Sequence, residues 1–110
     1  MALGELQLIP TGVVTVQSAV QVVERGTLLA LSVLWSETPP VWPQCFVRAG
    51  LANPDTPSGN LTLLLASGYL DFRNGPHWSG EIKLFPGMQL VLFVNTPATT
   101  IIKLAWLTRD

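Results

Sequence analysis

The sequence predicts an all-β fold, an antiparallel β-sandwich of about eight short strands in a jelly-roll-like arrangement. Apolar residues recur with a period of two, the spacing of a strand whose side chains alternate between two faces. Valine and threonine, which favour strands because they are stiff at χ1, are common in these stretches. Turns rich in proline, glycine and asparagine separate the stretches, as is typical of a sandwich or small barrel.

The first half of the chain contains three predicted strands. Residues 13–23, VVTVQSAVQVV, show this period. It places Val14, Val16, Val20 and Val22 on one face, and we predict Val14 and Val16 of that face to be buried. Residues 26–35, GTLLALSVLW, are apolar on both faces, as in a strand that is covered on both sides. Two adjacent prolines, Pro39 and Pro40, end this run, and a short strand QCFVRAG follows at 44–50.

The second half begins with the clearest loop, LANPDTPSGN at 51–60. Four strands follow, LTLLLASGYLDF (61–72), WSGEIKLF (78–85), MQLVLFVN (88–95) and TIIKLAWLT (100–108). Between the second and third of them, Pro86 and Gly87 form a predicted turn, with Ile82 and Leu84 facing the core and Glu81 and Lys83 facing out. The residues predicted to be largely buried are Val14, Val16, Leu29, Leu31, Leu63, Ile82, Leu84, Leu90, Leu92, Ile102 and Leu104.

One alternative interpretation makes residues 18–35, SAVQVVERGTLLALSVLW, a single long helix in a mixed fold. Gly26 lies inside this window together with five β-branched residues, a composition that disfavours a helix. We therefore prefer two strands. The chain shows no internal repeat, and its 110 residues match the size of one domain spanning 1–110.

The composition points away from nucleic acid and membranes. The six basic residues are scattered and the formal net charge is -1, whereas phosphate neutralisation needs a basic stripe. The apolar stretches are far shorter than the roughly 20 residues of a membrane helix, and MALGELQLIP lacks the basic start of a signal peptide. We expect a soluble protein with neither a nucleic-acid nor a membrane partner.

Catalytic and metal-binding residues are also not expected. His77 is the only histidine and Cys45 the only cysteine, and neither a nucleophile motif nor a phosphate-binding glycine loop accompanies them. A zinc or iron site normally takes three or more ligands. Asp71 and Glu81 could pair as carboxylates for glycoside hydrolysis, but such enzymes usually need a larger cleft than a chain of this size builds. We predict no enzymatic activity, no cofactor and no metal.

Two tryptophans are candidates for ligand or partner contacts. Trp42 is flanked by prolines, and we interpret Trp78 as part of the turn beside His77. Aromatic rings in loops can stack on sugars, so a carbohydrate-binding or adhesion module is the alternative function. The same residues equally suit a subunit interface.

The charge content and the last strand favour self-association. Only 12% of residues are charged and 48% are apolar, which is little charge to cover a small monomer; the alternative is a neutral polar surface. In TIIKLAWLTRD both faces are mainly apolar, and only one can line the sandwich. We predict a homo-oligomer, a trimer or other ring, with Ile101, Lys103 and Leu107 as interface candidates.

The order of segments from Gly26 onward resembles small β-sandwich virion proteins of tailed phages. The pattern comprises GTLLALSV before a proline-rich bend, and later a tryptophan-to-leucine series: Trp78, Gly80, Ile82, Leu84, Pro86, Gly87 and Leu90. The resemblance implies a non-enzymatic decoration, head-surface or accessory subunit. Such a protein would be located in the virion and would contact both its own copies and a larger capsid or shell protein.

Overall fold

The computed structural model describes residues 1–11, 15–35, 46–52, 61–67, 77–95 and 101–110. These residues form eight β-strands and no helix. The described part of the chain therefore has no helix long and apolar enough to cross a membrane. The strands are β1 (Ala2–Leu8), β2 (Gln17–Val22), β3 (Thr27–Trp35), β4 (Phe46–Ala52), β5 (Leu61–Ser67), β6 (His77–Lys83), β7 (Gln89–Asn95) and β8 (Ile102–Arg109). The predictions that concern Val14, Trp42, Cys45 and Asp71 lie outside the described residues.

The strands form two four-stranded sheets with the order of a jelly roll. Sheet A has the order β1-β8-β3-β6 and sheet B the order β2-β7-β4-β5, and all six pairings are antiparallel. Each connection carries the chain to the other sheet, except the one from β4 to β5. The predicted antiparallel sandwich is confirmed, and the long helix proposed as its alternative is wrong, because β2 and β3 occupy that window.

Strand β1 is the strand that our sequence analysis did not identify. It pairs with β8 along its whole length, from Ala2 opposite Thr108 to Leu8 opposite Ile102. Leu6 and Leu8 pack against the core, whereas Glu5 and Gln7 are exposed. This alternation of leucine with polar residues in GELQL is the signal that could have revealed the strand.

Leucines and valines from both sheets fill the core. Leu28, Leu31, Ile102 and Leu104 of sheet A are fully buried, and they face an equally apolar layer from sheet B. That layer consists of Val47, Ala49, Leu51, Leu65, Leu90, Leu92 and Val94. The predicted burial of Leu31, Leu84, Leu90, Leu92, Ile102 and Leu104 is confirmed, and Ile82 is half-buried against the same cluster.

Two β-bulges change which side chains face this core. The register of β3 shifts between Leu28 and Ala30, so Leu28 and Leu31 both point inward and Leu29 is only half-buried. The register of β5 shifts in the same way, with Leu65 opposite Ala49 but Leu63 opposite Gly50. The predicted burial of Leu63 is therefore wrong, because its side chain is 49% exposed.

The valine face of β2 points outward, which corrects a second prediction. Val16, Val20 and Val22 are 57%, 48% and 49% exposed. The pairing with β7 explains this orientation, because Ala19 lies opposite the fully buried Leu92 and shares its inward face. Val20, opposite Val91, must then face away from the core.

The turn at Pro86 and Gly87 carries the chain from sheet A to sheet B. The Met88 amide donates to the Phe85 carbonyl oxygen at 3.1 Å, and Gly87 has a φ of 88°. Proline at the second position and a positive φ at the third define a type II turn. Leu84 is buried while Glu81 and Lys83 are exposed, as predicted.

Candidate functional site

An exposed apolar surface lies on the side of sheet B that faces away from the core. We call this surface the outer face of sheet B. It comprises Val16, Val20, Val22, Phe46, Arg48, Leu63 and Phe93. The strand pairings place its side chains in rows, one of which runs from Ser18 through Phe93 and Arg48 to Ala66.

A shallow cavity of about 360 Å³ opens on this face. Four apolar side chains and one cation line it: Val16, Phe46, Leu63, Phe93 and Arg48. Gly50 on the central strand β4 and Ala66 on the edge strand β5 lie beside these residues, and a Cβ atom at Gly50 would overlap the Thr62 carbonyl oxygen of β5. The cavity therefore combines apolar walls with a single charged group, a composition that suits recognition of a partly apolar ligand or side chain.

Arg48 is held in place by the ring next to it on the same face of β4. Its Cζ atom lies 4.3 Å from the centroid of the Phe46 ring, within the range of a cation–π interaction. Among the described residues no carboxylate pairs with Arg48, whereas Lys103 and Arg109 each have one. The guanidinium therefore keeps donors for an incoming acceptor.

The interface candidates named from the sequence lie on the opposite side of the molecule. Lys103 and Leu107 lie on the side of sheet A that faces away from the core, and Ile101 directly precedes their strand. This outer face of sheet A also carries Leu3, Glu5, Ala30, Ser32, Leu34, His77, Ser79 and Ala105. All three candidates are half-buried by their neighbours, and Lys103 makes an ion pair of 3.5 Å with Glu5.

Trp78 is part of strand β6, so its interpretation as a turn residue is wrong. It is half-buried, lies opposite Leu31 and packs against the core cluster. His77, which we expected to be a turn residue, is the first residue of the same strand, where it is exposed opposite Ser32. Much of the Trp78 ring surface is therefore engaged by the protein itself.

The described residues contain no group of three or more histidine, cysteine or acidic side chains that could hold a metal ion. Glu81, considered earlier as a catalytic carboxylate, forms an exposed ion pair of 3.1 Å with Arg109.

Sequence analysis missed the outer face of sheet B because it assigned Val16 and Leu63 to the core. The residues that alternate with the buried ones in each strand could have identified this face. Phe46 and Arg48 share a face of β4, and Phe93 is the outward residue between two buried neighbours in VLFVN. The chain matches no protein-family model, and no curated protein matches it.

Proposed function

We propose that this protein is a non-enzymatic structural subunit of a protein assembly, and that it acts through protein–protein contacts between copies and with a larger shell protein. A virion is the setting that the resemblance to phage accessory proteins favours. Jelly rolls serve in viral capsids, but also in lectins and cupins. The fold alone therefore does not carry the proposal.

The observation that carries it is the outer face of sheet B. The core residues of sheet B are apolar, yet its outer face also presents Val16, Val20, Val22 and Leu63, each between 48% and 57% exposed. A contiguous apolar patch is costly to leave in water and marks a site of interaction. Contact with another subunit would remove this patch from water, with the half-exposed valines contributing the apolar area.

Sedimentation velocity of purified protein at tens of micromolar tests this proposal. We expect a defined homo-oligomer, a trimer or other ring, and we expect Val20→Glu to shift it toward monomer, because the new charge would be desolvated at the contact. Phe85→Glu is the matched control, because Phe85 is 49% exposed, close to the 48% of Val20, and lies in the turn between the sheets. A wild-type protein that sediments only as a monomer would contradict the proposal.

The alternative, a carbohydrate-binding module that uses Trp42 and Trp78, makes a different prediction. It requires tryptophan fluorescence to respond to added sugars in a saturable way. Under our proposal a panel of mono- and oligosaccharides leaves the emission unchanged. A saturable response that Trp78→Ala abolishes would favour the alternative.

A further inference from the structure

The cavity on the outer face of sheet B has a composition that specifies its occupant. Of the residues that the structure describes, Val16, Phe46, Leu63 and Phe93 form its walls, and Arg48 is its one charged group. An occupant must bring an apolar side chain for the walls. It must also bring an acceptor for the guanidinium, because the described part of the chain supplies Arg48 with no carboxylate.

The position of Arg48 argues against symmetric pairing of two such faces. Arg48 lies on β4, which is one of the two central strands of sheet B. Two copies related by a twofold axis that passes close to Arg48 would bring their Arg48 side chains toward each other. Like charges at a contact cost free energy when they lose water. A surface that carries an acceptor is therefore better suited to face the cavity.

Strand β1 carries both groups that the cavity lacks. Leu3 is 85% exposed, and Glu5, two residues further on the same face of the strand, is 47% exposed. At about 3.4 Å per residue, the two side chains start about 7 Å apart. Among the described large apolar side chains only Met1, at 91%, is more exposed than Leu3.

Glu5 is free to make a second contact. Among the described residues it pairs with Lys103, at 3.5 Å, and the side chains of Glu5 and Lys103 are 47% and 37% exposed. Exposed ion pairs of this kind contribute little stability. A carboxylate can accept several hydrogen bonds, so Glu5 can bind an arginine from outside without leaving Lys103.

We propose that the cavity on the outer face of sheet B binds strand β1 of a second copy, with Leu3 between Phe46 and Phe93 and Glu5 paired with Arg48. This inference rests on the proposed function, since it assumes that the protein self-associates. The contact joins two different surfaces and is therefore head-to-tail. Such contacts generate rings where the rotation closes, and open chains where it does not.

Sedimentation velocity of charge variants tests the pairing. We expect Leu3→Ala, Arg48→Glu and Glu5→Arg each to weaken association at least about tenfold, the effect of losing a central contact residue. The double variant with Glu5→Arg and Arg48→Glu should restore most of it, because the charges are exchanged. Lys103→Gln removes the same intrachain ion pair but keeps Glu5, so it should associate like the wild type.

Each outcome has a separate meaning. Urea unfolding of every variant first shows that the fold persists, which we expect because Leu3, Glu5 and Arg48 are exposed. If the wild type is a monomer, the proposed function itself fails. If the wild type associates but Leu3→Ala and Arg48→Glu leave association unchanged, only the pairing proposed here is overturned. Stronger association of Arg48→Ala would instead indicate symmetric pairing of sheet B and would also overturn it.

Discussion

At the scale of single residues, the connection between β6 and β7 depends on the backbone of Gly87. Its φ of 88° lies in the region that side chains with a Cβ atom rarely adopt. The preceding Pro86 favours the second position of the same turn, and the hydrogen bond between Met88 and Phe85 closes it. The sequence PG was sufficient to predict this turn, because its requirements are local.

Replacing Gly87 should destabilise the fold through backbone strain. We expect Gly87→Val to lower the free energy of unfolding by about 1–2 kcal/mol, the cost of a left-handed conformation for an L-residue. Gly87→Asn should cost clearly less, because asparagine tolerates this region. Urea unfolding measures both variants. Equal losses would show that the backbone conformation of Gly87 is not the cause.

Gly4 makes space for a neighbouring ring rather than for a turn. A Cβ atom at this position would overlap the indole of Trp106, which lies opposite Gly4 in the pairing of β1 with β8. Trp106 in turn packs against the core. This close approach explains a glycine inside a strand.

A larger residue at Gly4 should displace that indole. We expect Gly4→Val to destabilise the protein by about 1–3 kcal/mol, as overpacking does, and to shift the tryptophan emission to longer wavelength. Ala2→Val changes another residue of the same strand at an exposed position and should leave both quantities nearly unchanged. Unaltered emission in Gly4→Val would contradict this account of the contact.

At the scale of the elements, the inward face of a strand could be predicted where one face is clearly more apolar, or where a charged residue marks the outward face. Ile102 and Leu104 were assigned correctly, because Lys103 marks the opposite face. The inward face of β2 was assigned wrongly. The pairing with β7 determines that face, because Ala19 lies opposite Leu92 and points inward with it. The local sequence of β2 does not reveal how this strand pairs with a segment far away in the chain.

The bulges in β3 and β5 set a similar limit. A regular alternation through Leu29 and Leu31 puts both residues on one face, and it does the same for Leu63 and Leu65. One extra residue in each strand reverses which side chains point inward beyond it, so Leu29 and Leu63 do not face the core. Leu28 and Ala30 in β3 and Leu64 and Leu65 in β5 are apolar as well, so composition does not reveal where the extra residue falls. The cavity beside Leu63 was missed for this reason.

Two leucines of β3 test the assignment of its faces. Leu31 is fully buried, whereas Leu34 is 52% exposed on the outer face of sheet A. Leu31→Ala should therefore lower the free energy of unfolding by about 2–5 kcal/mol, while Leu34→Ala should change it by about 0.5 kcal/mol or less. Chemical denaturation of the two variants measures the difference. A larger loss for Leu34→Ala would contradict the face assignment after the bulge.

At the scale of the whole molecule, the two sheets have different outer faces. The outer face of sheet A carries the ion pair of Glu5 with Lys103 and the small residues Ala30, Ser32 and Ala105, beside the exposed Leu3 and Leu34. The outer face of sheet B is apolar with one cation, Arg48, that lacks an acidic partner among the described residues. A subunit with unlike faces is suited to head-to-tail contacts between copies. The sequence predicted self-association from composition, whereas the structure shows which apolar side chains are exposed on each face.

Native mass spectrometry of the purified wild-type protein tests this self-association most directly. Because one chain has a mass of 11.9 kDa, the account predicts a dominant species at one integer multiple of that mass, such as a trimer or other ring. The species should persist on dilution through the low micromolar range. A spectrum that contains only the 11.9 kDa chain at tens of micromolar would contradict the account.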